Sequence, residues 1–508
     1  QFSNDDFRLV IETNLHGTFY AARAVEGEPF IRLRGVSTGV KGLLIAYPEF
    51  NEDTLPPVPY PPTIFSDRGS ENVFVIDTMF YNVYEAIHFN GCARFLISNV
   101  HGNPIKRGIF IDRCMDIGRV ENVHFWPFGP VYETSNKFSQ WVNTHGVAFE
   151  FARTDWQYVF NTFCFGYGVG YKFSDYGSGG ANGNFLGLGA DCCERAIVVE
   201  QAQAVGILIT NGEFVGKWGS NENILVEIQE NVRGKVSIQN SSFWGPNDIS
   251  IWMKSPYSQV TAIGCHFNNW GNKGVGSPAI KLDAGKAIIQ GNTFGEGLHH
   301  ISVAEKVESA IVIGNQAIEG MVITNNAGGR LQLVANEEST FNLDEEKRKY
   351  YKISIGKLGD GRFLMNWHDR EHGGEWDENS TKRWSGIDSQ INLPILKDKA
   401  YSIGIEVFVP EWAIDENSGL YLGDKKITPI TSAGKTVYIG KIPPQKTDVI
   451  TLTLKVKNWQ PKDHIENSKD ARSLGIAVRS ITMKSEKAED RYFDVNKREW
   501  ITSIGGGL

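Results

Sequence analysis

Short segments of alternating apolar residues recur across residues 70–325, and this repeat leaves few folds open to the chain. Segments of a first kind include GIFIDRC (108–114), GVAFEFAR (146–153), GVGYKFSD (168–175) and NILVEIQ (223–229). Segments of a second kind follow most of them and include RVENVHF (119–125), VSIQNSSF (236–243) and IIQGNTF (288–294). Val147 and Val169 occupy matching places 22 residues apart, and later steps lengthen.

A repeat of this length indicates stacked coils. Each alternating strand buries only one of its faces, and one short unit cannot bury that face alone, whereas stacked copies form a continuous core. In the second kind of segment an Asn or Gly stands three residues before a Phe, at Asn122, Asn211, Asn240, Gly264 and Gly291. These residues suit a turn with positive φ or a side-chain hydrogen bond to the backbone. The pattern predicts an all-β chain that begins with a right-handed parallel β-helix.

Three further segments carry a family resemblance: GLLIAYPEF (42–50), YPPTIFSDRG (60–69) and DIGRVENVHFWPFG (116–129). They resemble the pectate-lyase-like β-helix superfamily of polysaccharide-acting enzymes and phage tailspikes, over roughly residues 1–335. The NTD, GHG and RIK blocks of polygalacturonases are absent in that role, and the one Asp-Asp pair is Asp5-Asp6. The RxPxxR element of pectate lyases is absent as well. Neither pectin activity is therefore expected.

A second domain follows the charged run DEEKRKYY (344–351). Longer strands such as AYSIGIEVFVP (400–410) alternate there with Gly, Asp and Pro clusters, which predicts an antiparallel β-sandwich. RWSGIDSQINLPI (383–395) and DARSLGIAVRSITM (470–483) resemble the jelly-roll modules attached to carbohydrate-active enzymes. The predicted units are a β-helix over 1–338, a jelly-roll-like sandwich over 339–488 and a poorly ordered tail over 489–508. The sandwich either caps the β-helix or binds glycan through Trp367, Trp376 and Trp384.

Charge and composition exclude several classes of protein. A net charge of −8 and a pI near 5.8, without a long basic run, argue against nucleic-acid binding. No apolar stretch approaches the length of a membrane span. The six cysteines form no CxxC pair, and no zinc spacing occurs. Cys92 and Cys114 are one coil apart and either touch as thiols or form a bridge. No cofactor is expected, and a structural Ca²⁺ held by carboxylates of neighbouring coils is left open.

Candidate catalytic groups are carboxylates on the outer surface of the coils. Aligning the first-kind segments places outward residues in one column, with Lys254 and Asp283 nearby: Asp112, Glu150, Lys172, Glu200 and Glu227. Coil spacing would put Asp112 about 5 Å from Glu150, as in retaining glycosidases, and Glu200 about 9.5 Å from it, at the upper limit for inverting ones. The alternative is that these carboxylates have no catalytic role and that outward residues are polar because they meet water.

Three aspartates follow strands or open loops, namely Asp155, Asp175 and Asp191. Each either supplies a second catalytic carboxylate or caps its own turn through Asx hydrogen bonds. The Gly-rich stretch YGSGGANGNF (176–185) is expected to form a loop near them.

The long insertion WPFGPVYETSNKFSQWVNTH (126–145) precedes the coil that contains Glu150. Long loops in repeat folds usually lie at the binding face, and aromatic rings stack on the apolar faces of sugars. Trp126, Trp141 and Trp156 are therefore candidate sugar platforms, with self-packing of the loop as the alternative. His124 flanks the insertion and is either a substrate contact or a structural group.

The leading hypothesis is an extracellular, cell-surface or periplasmic glycoside hydrolase acting on a polysaccharide or complex glycan. Two carboxylates from Glu150, Asp155, Asp175 and Asp191 would act as general acid and as base or nucleophile. Substrate contacts are expected from Trp126, Trp141, Trp156, Lys172, Arg153 and His124.

Two alternatives remain open. One is a polysaccharide lyase in which Lys172 or Arg153 is the base beside an acidic sugar. The other is a non-catalytic glycan-binding or tailspike-like structural protein. The expected partner is a polysaccharide or oligosaccharide, with no nucleic acid and no membrane span. A homo-oligomer such as a trimer is implied only by the resemblance.

Overall fold

The computed structural model describes residues 19–20, 27–47, 55–126, 137–218, 220, 222–271, 277–295, 299–317, 320–337, 343–357, 359–486 and 491–502. The chain is nearly all β, with 6% helix, and its first part is a β-solenoid of about ten turns. The predicted fold class is confirmed, because a parallel solenoid is followed by a mostly antiparallel sheet.

The solenoid contains twenty-nine described strands, one α-helix and one 3₁₀ turn: β1 (Phe19–Tyr20), β2 (Ile31–Leu33), β3 (Gly39–Lys41), β4 (Leu44–Ala46), β5 (Ile64–Ser66), β6 (Phe74–Tyr81), β7 (Glu85–Asn90), β8 (Leu96–Gly102), β9 (Arg107–Asp112), β10 (Arg119–Phe125), α1 (Lys137–His145), β11 (Val147–Phe151), β12 (Thr154–Phe165), β13 (Val169–Phe173), β14 (Ala181–Cys193), β15 (Arg195–Val199), β16 (Ala202–Thr210), β17 (Glu213–Gly216), β18 (Ile224–Ile228), β19 (Lys235–Gln239), β20 (Ser242–Trp244), β21 (Ile249–Met253), β22 (Gln259–Ile263), β23 (His266–Asn268), β24 (Ile280–Gln290), β25 (Thr293–Phe294), β26 (Ile301–Ile313), β27 (Gln316–Ala317), β28 (Ile323–Asn325), the 3₁₀ turn Gly328–Arg330 and β29 (Leu331–Val334).

Parallel pairing between successive coils builds three faces. Face 1 contains β5, β7, β9, β11, β13, β15, β18 and β21 in that order. The strands between them bend, so that β6, β8, β10, β12 and β14 each contribute their first half to face 2 and their second half to face 3. The first-kind segments therefore form face 1, and the second-kind segments form the other two faces.

The bend between faces 2 and 3 is made by the predicted Asn and Gly positions. All five have positive φ, from 45° at Asn240 to 62° at Gly264 and Gly291, as the sequence predicts. Asn tolerates this left-handed conformation better than other residues with a side chain. The Asn240 side chain also donates a 2.7 Å hydrogen bond to Asn211 on the previous coil, so the bends are linked as a ladder.

The interior consists of stacked aromatic and aliphatic columns. Phe149 and Tyr171 of β11 and β13 stack with their centroids 4.8 Å apart, and Phe243 and Phe267 stack at 4.9 Å. Burial of each such ring contributes about 2 kcal/mol to folding. Cys92 and Cys114 are buried free thiols with their Sγ atoms 3.6 Å apart, so they touch without forming a bridge.

The second domain contains eleven strands, two short α-helices and two 3₁₀ turns: α2 (Glu345–Lys349), β30 (Tyr350–Ser354), the turn Gly361–Phe363, β31 (Leu364–His372), β32 (Thr381–Pro394), β33 (Tyr401–Val409), the turn Glu411–Ala413, β34 (Gly419–Leu422), β35 (Lys425–Pro429), β36 (Gly434–Ile442), β37 (Val449–Lys455), α3 (Pro461–His464), β38 (Ala477–Ser485), β39 (Arg491–Asp494) and β40 (Glu499–Thr502). These strands pair in one continuous, mostly antiparallel network, and a jelly-roll order is not confirmed.

Two expectations about this domain are wrong. Trp367 and Trp384 are 2% and 5% exposed and belong to the hydrophobic core, so they are not sugar platforms. The tail is not separate, because residues 491–502 form a hairpin whose first strand, β39, pairs with β30. Phe493 of β39 is buried in the core of this domain, and the chain turns after Asp494 to return as β40, despite the many charges around it.

Among the described residues, no helix is both long and apolar enough to cross a membrane.

Candidate functional site

The register between coils fixes which side chains share a column on face 1. Glu150 lies between Phe110 of β9 and Lys172 of β13. The expectation that Asp112 and Glu200 share this column is wrong, because each lies two residues beyond the residue that pairs there. A shift of two residues preserves the alternation of inward and outward side chains, so the hydrophobic pattern could not detect it.

The Glu150 side chain is 1% exposed and fully engaged. The Tyr176 hydroxyl donates a 2.9 Å hydrogen bond to its Oε1 atom. Arg107 Nε lies 3.1 Å from Oε2, and Lys172 Nζ lies 3.6 Å from Oε1. Lys172 also pairs with Glu200 at 3.0 Å. A carboxylate buried this deeply needs such cations, because the desolvation cost of an unpaired charge is several kcal/mol, on the order of 3–5.

Glu85, which no sequence pattern singles out, lies near Glu150. It begins β7 and pairs in register with Arg107. Burial raises the pKa of the Glu85 carboxyl, the positive charge of Arg107 opposes this increase, and the negative charge of Glu150 adds to it. A carboxyl with a raised pKa retains its proton closer to neutral pH and can donate it. The sequence gives no signal for Glu85 because this residue stands at the start of a strand, outside the alternating pattern.

A second ion-pair cluster on face 1 repeats the arrangement around Glu150. Glu227 lies three coils further along the same column. Arg195 Nε is 2.9 Å from its Oε2, and Lys254 hydrogen-bonds to its Oε1. Burial would raise the pKa of Glu227, but hydrogen bonds from Lys254 and Arg195 outweigh burial and lower it. Glu227 is thus a structural counterpart of Glu150, at a distance from Tyr176.

Asp155 joins three coils at the corner between faces 1 and 2. Its Oδ1 accepts hydrogen bonds from Asn182 Nδ2 at 3.0 Å and from Gln203 Nε2 at 2.9 Å. Its Oδ2 accepts one from Arg153 Nη2 at 3.1 Å. Arg153 is therefore held in place by Asp155, and both lie on the exit of the strand that carries Glu150.

Asp175 and Asp191 lie in different surroundings. Asp175 Oδ1 accepts hydrogen bonds from the backbone N–H groups of Gly177 and Gly179, at 2.8 and 3.0 Å, which is an Asx-type turn. Asp191 stands near the end of β14 on face 3, opposite Phe165, and burial raises the pKa of its carboxyl. The four predicted carboxylates therefore do not converge on one point.

The candidate tryptophans are distributed over three parts of the surface. Trp156 is 61% exposed at the start of face 2, and its Nε1 donates to the Tyr158 hydroxyl at 3.0 Å. Trp141 on α1 stacks on His145 with centroids 4.8 Å apart. Trp126 lies at the end of a face 3 strand and packs against Phe165 at 4.4 Å.

His124 belongs to the aromatic cluster on face 3. Its ring lies 5.1 Å from Phe163 and 6.1 Å from Trp126. Burial, with a smaller contribution from the charge of His101, lowers the pKa of His124. The rest of the predicted aromatic insertion, residues 127–136, lies outside the described residues.

A cleft of about 690 Å³ runs along the corner between faces 1 and 2, and we call it the arginine cleft. Its walls include Phe65, Asp67, Arg68, Arg113, Arg153 and Ser178. This volume lies within the range of pockets that bind small molecules.

The Gly-rich loop over residues 176–180 connects the arginine cleft to Glu150. Ser178 lines the cleft, while Tyr176 hydrogen-bonds to Glu150 and packs on Phe110 with centroids 5.3 Å apart. Burial and the neighbouring Glu150 raise the pKa of Tyr176 to about 12, so the hydroxyl remains a donor. The predicted loop is present beside Glu150 over residues 176–180, where it covers this carboxylate, whereas residues 181–185 begin β14 and not a loop.

Within the described part of the chain, no three His, Cys, Asp or Glu side chains are grouped so that they could hold a metal ion. The expectation that no cofactor is needed stays a prediction.

No family model and no curated protein matches the sequence. Among solved structures, the chain is similar to the tailspike protein of E. coli bacteriophage HK620 in complex with pentasaccharide, with 9% identity, 95% of this chain and 89% of that chain covered, and a TM-score of 0.40. The chain is also similar to PfbA, a surface adhesin of Streptococcus pneumoniae, with 10% identity, 66% of this chain and 88% of that chain covered, and a TM-score of 0.36. A third similar structure is the enzymatically active domain of bacteriophage CBA120 tailspike protein 4, with 8% identity, 83% of this chain and 64% of that chain covered, and a TM-score of 0.27. The fold itself defines the chain as a parallel β-helix protein with an added β-domain.

Proposed function

We propose that this chain is a polysaccharide-acting protein, specifically a glycoside hydrolase whose substrate lies along face 1. One observation carries the proposal: Glu85 and Glu150 share the cation Arg107 but have contrasting surroundings. Burial raises the pKa of the Glu85 carboxyl, whereas the Glu150 side chain is paired with two cations, Arg107 and Lys172. Two neighbouring carboxyl groups in contrasting surroundings are the usual basis of acid and base roles.

In this proposal Glu85 protonates the glycosidic oxygen and Glu150 activates the attacking water. The two residues are two coils and three strand positions apart, so their Cα atoms are separated by about 14 Å. Long side chains that approach from both sides fit the wider carboxylate spacing of about 6.5–9.5 Å, which accompanies inversion. Substrate access to Glu150 requires Tyr176 to move away, and the positive-φ Gly177 and Gly179 provide the loop with hinges.

The other predicted site residues take supporting roles in the proposal. Arg153 and Lys172 contact the substrate beside Glu150, and Trp156 extends the surface toward face 2. Asp155 positions Arg153, and Asp175 shapes the loop that carries Tyr176. Trp126, Trp141, His124 and Asp191 lie outside this site.

A non-catalytic glycan-binding protein is the second candidate function. It is favoured by the close match between Glu150 and Glu227, because two equivalent ion-paired carboxylates are also explained as rungs that hold the coils together. Both functions place the protein outside the cell or at its surface, where polymeric glycans are met. A homo-oligomer stays a prediction.

The test is a glycan panel incubated with the protein and with three variants. Glu85→Gln and Glu150→Gln are expected to reduce the formation of new reducing ends by about 10²-fold or more. Glu227→Gln is the matched control and is expected to retain activity within about twofold.

Each other outcome points to a different conclusion. New product absorbance from a C=C bond would replace the hydrolase with the lyase in which Lys172 or Arg153 is the base. Glycan binding without cleavage would select the non-catalytic function. Cleavage that survives both Glu85→Gln and Glu150→Gln would refute the assigned pair.

A further inference from the structure

We infer that the arginine cleft binds a sugar residue that carries a carboxylate, so that the glycan recognised by this chain is acidic. The inference rests on the proposed function and adds the chemical class of its substrate. It is carried by the arrangement of cations at one corner of the solenoid.

Three arginines stand at the same corner position of the solenoid, on three of four successive coils. Arg113 and Arg153 each come two residues after the paired Ile111 and Phe151, so they occupy matching positions on adjacent coils. Arg68 stands two rungs earlier, with Gly91 between it and Arg113. Like charges directly opposite each other on paired strands are destabilising. An anion bound between these guanidinium groups would relieve that repulsion.

The cations of the cleft are only partly neutralised by the protein. Arg68 is exposed and forms no ion pair within the described ranges of the chain. Arg113 is 57% exposed, and its Nε donates to Asn90 Oδ1 at 2.9 Å. The nearest carboxylate to Arg113 is Asp112 at 3.6 Å, and Asp112 is nearly buried.

The acidic residue in the cleft wall is already engaged. Asp67 accepts a 2.8 Å hydrogen bond from Arg32 Nη1, which lies outside the cleft lining. Arg153 forms a two-point ion pair with Asp155, at 3.1 Å for each contact, so its guanidinium is fixed in position and its charge is balanced. The positive charge of the cleft therefore comes from Arg68 and Arg113, within a chain whose net charge is −8. Guanidinium groups bind carboxylates in a bidentate manner, which favours this anion.

The remaining walls suit a sugar ring. Phe65 and Met115 offer apolar surface, while Asn90 and Ser178 offer polar groups. Gly91 has a φ of 82°, and a Cβ there would come within 3.3 Å of Arg68 Cβ, so glycine leaves room beside the arginine. Arg153 is three residues beyond Glu150, or about 10 Å along the strand. An acidic residue held in the cleft would thus place a neighbouring linkage above Glu150.

The test is a binding measurement on the full chain by titration calorimetry. The probes are hexasaccharides of galacturonan and of hyaluronan and an oligomer of sialic acid, each beside its carboxyl-reduced, neutral form. We expect at least one acidic probe to bind about tenfold or more tightly than its neutral form. The double variant Arg68→Ala, Arg113→Ala should remove that preference. Arg119→Ala, an exposed arginine on face 2, is the control and should leave it unchanged.

Three results would overturn the inference: no binding of any acidic probe, equal binding of acidic and neutral forms, or equal binding by the double variant. A sulfated oligosaccharide of the same length that binds as tightly would overturn the choice of a carboxylate. These outcomes are separate from catalysis. Acidic probes that bind without being cleaved contradict the hydrolase only, and neutral glycans that are cleaved contradict the acidic substrate only.

Discussion

At the scale of single residues, Glu150 shows how a buried carboxylate depends on neighbours that are distant in sequence. The alternation of GVAFEFAR correctly places Glu150 on the outer surface of its strand, yet the side chain is buried. Its cover comes from Tyr176, and its charge partner Arg107 comes from the previous coil. Neither contact has a local sequence signal, so the sequence predicts the direction of Glu150 and not its environment.

Replacing Glu150 with Gln should weaken the fold as well as any activity. The substitution leaves Arg107 and Lys172 near a neutral group, which should lower the free energy of unfolding by about 2 kcal/mol. Glu227→Gln should cost a similar amount, because Arg195 and Lys254 lose an equivalent partner. Urea unfolding followed by circular dichroism would measure both. A loss below about 0.5 kcal/mol for both variants would contradict the description of these glutamates as ion-paired rungs.

His88 provides a pH-dependent test on the same face. Burial, with smaller contributions from Arg107 and Arg113, lowers the pKa of His88 from 6.5 to about 4. Because the folded-state pKa is the lower one, the neutral ring stabilises the fold above pH 6.5, and this stability is lost as the pH falls toward 4. His88→Phe fits between Phe65 and Phe110 and should be more stable than the parent at pH 5, by about 1–2 kcal/mol. Thermal midpoints at pH 5 and pH 7 give the comparison, and an equal difference at both values would contradict it.

At the scale of elements, the strands and their bends are readable from the sequence, whereas the register between coils is not. The bend requires a residue with positive φ, and Asn240 and Gly264 are residue types that indicate this conformation in the sequence. The register depends on which of several outward residues pair, and a two-residue shift leaves the hydrophobic alternation intact. For this reason the sequence alignment predicts that Asp112 lies opposite Glu150, whereas in the structure Phe110 occupies that position.

The bends predict a contrast between two substitutions at one position. Asn240→Ala should lower the free energy of unfolding by about 1–2 kcal/mol, because Ala is strained at a φ of 45° and the bond to Asn211 is lost. Asn240→Gly loses the bond but not the conformational freedom, so it should cost less than Asn240→Ala. Urea midpoints decide the matter, and a larger loss for the glycine variant would contradict the role of the bend.

At the scale of the whole molecule, the candidate residues are spread over three faces of one solenoid. Trp156 belongs to face 2, Trp126 to face 3 and Glu150 to face 1, although all lie within one short part of the sequence. Residues close in sequence on a coil point in different directions, and neighbours in space come from other coils. A functional surface on a solenoid is therefore assembled from equivalent positions of successive coils, as in the arginine cleft.

The overall charge predicts unusual kinetics for an acidic ligand. A chain with a net charge of −8 repels a polyanion at long range, while the arginine cleft attracts it at short range. Raising the salt from about 20 to about 200 mM shortens the range of the repulsion. The association rate should then hold or increase while the dissociation rate increases, as stopped-flow or surface plasmon resonance would show. A steep fall in the association rate would instead indicate long-range attraction by the whole surface.

The most direct measurement is a crystal structure of the Glu150→Gln variant with an acidic oligosaccharide bound. We expect sugar density along face 1, with a carboxylate between Arg68, Arg113 and Arg153 and with Tyr176 moved away from residue 150. Sugar bound over Trp126 on face 3 or on the second domain, with face 1 empty, would contradict it.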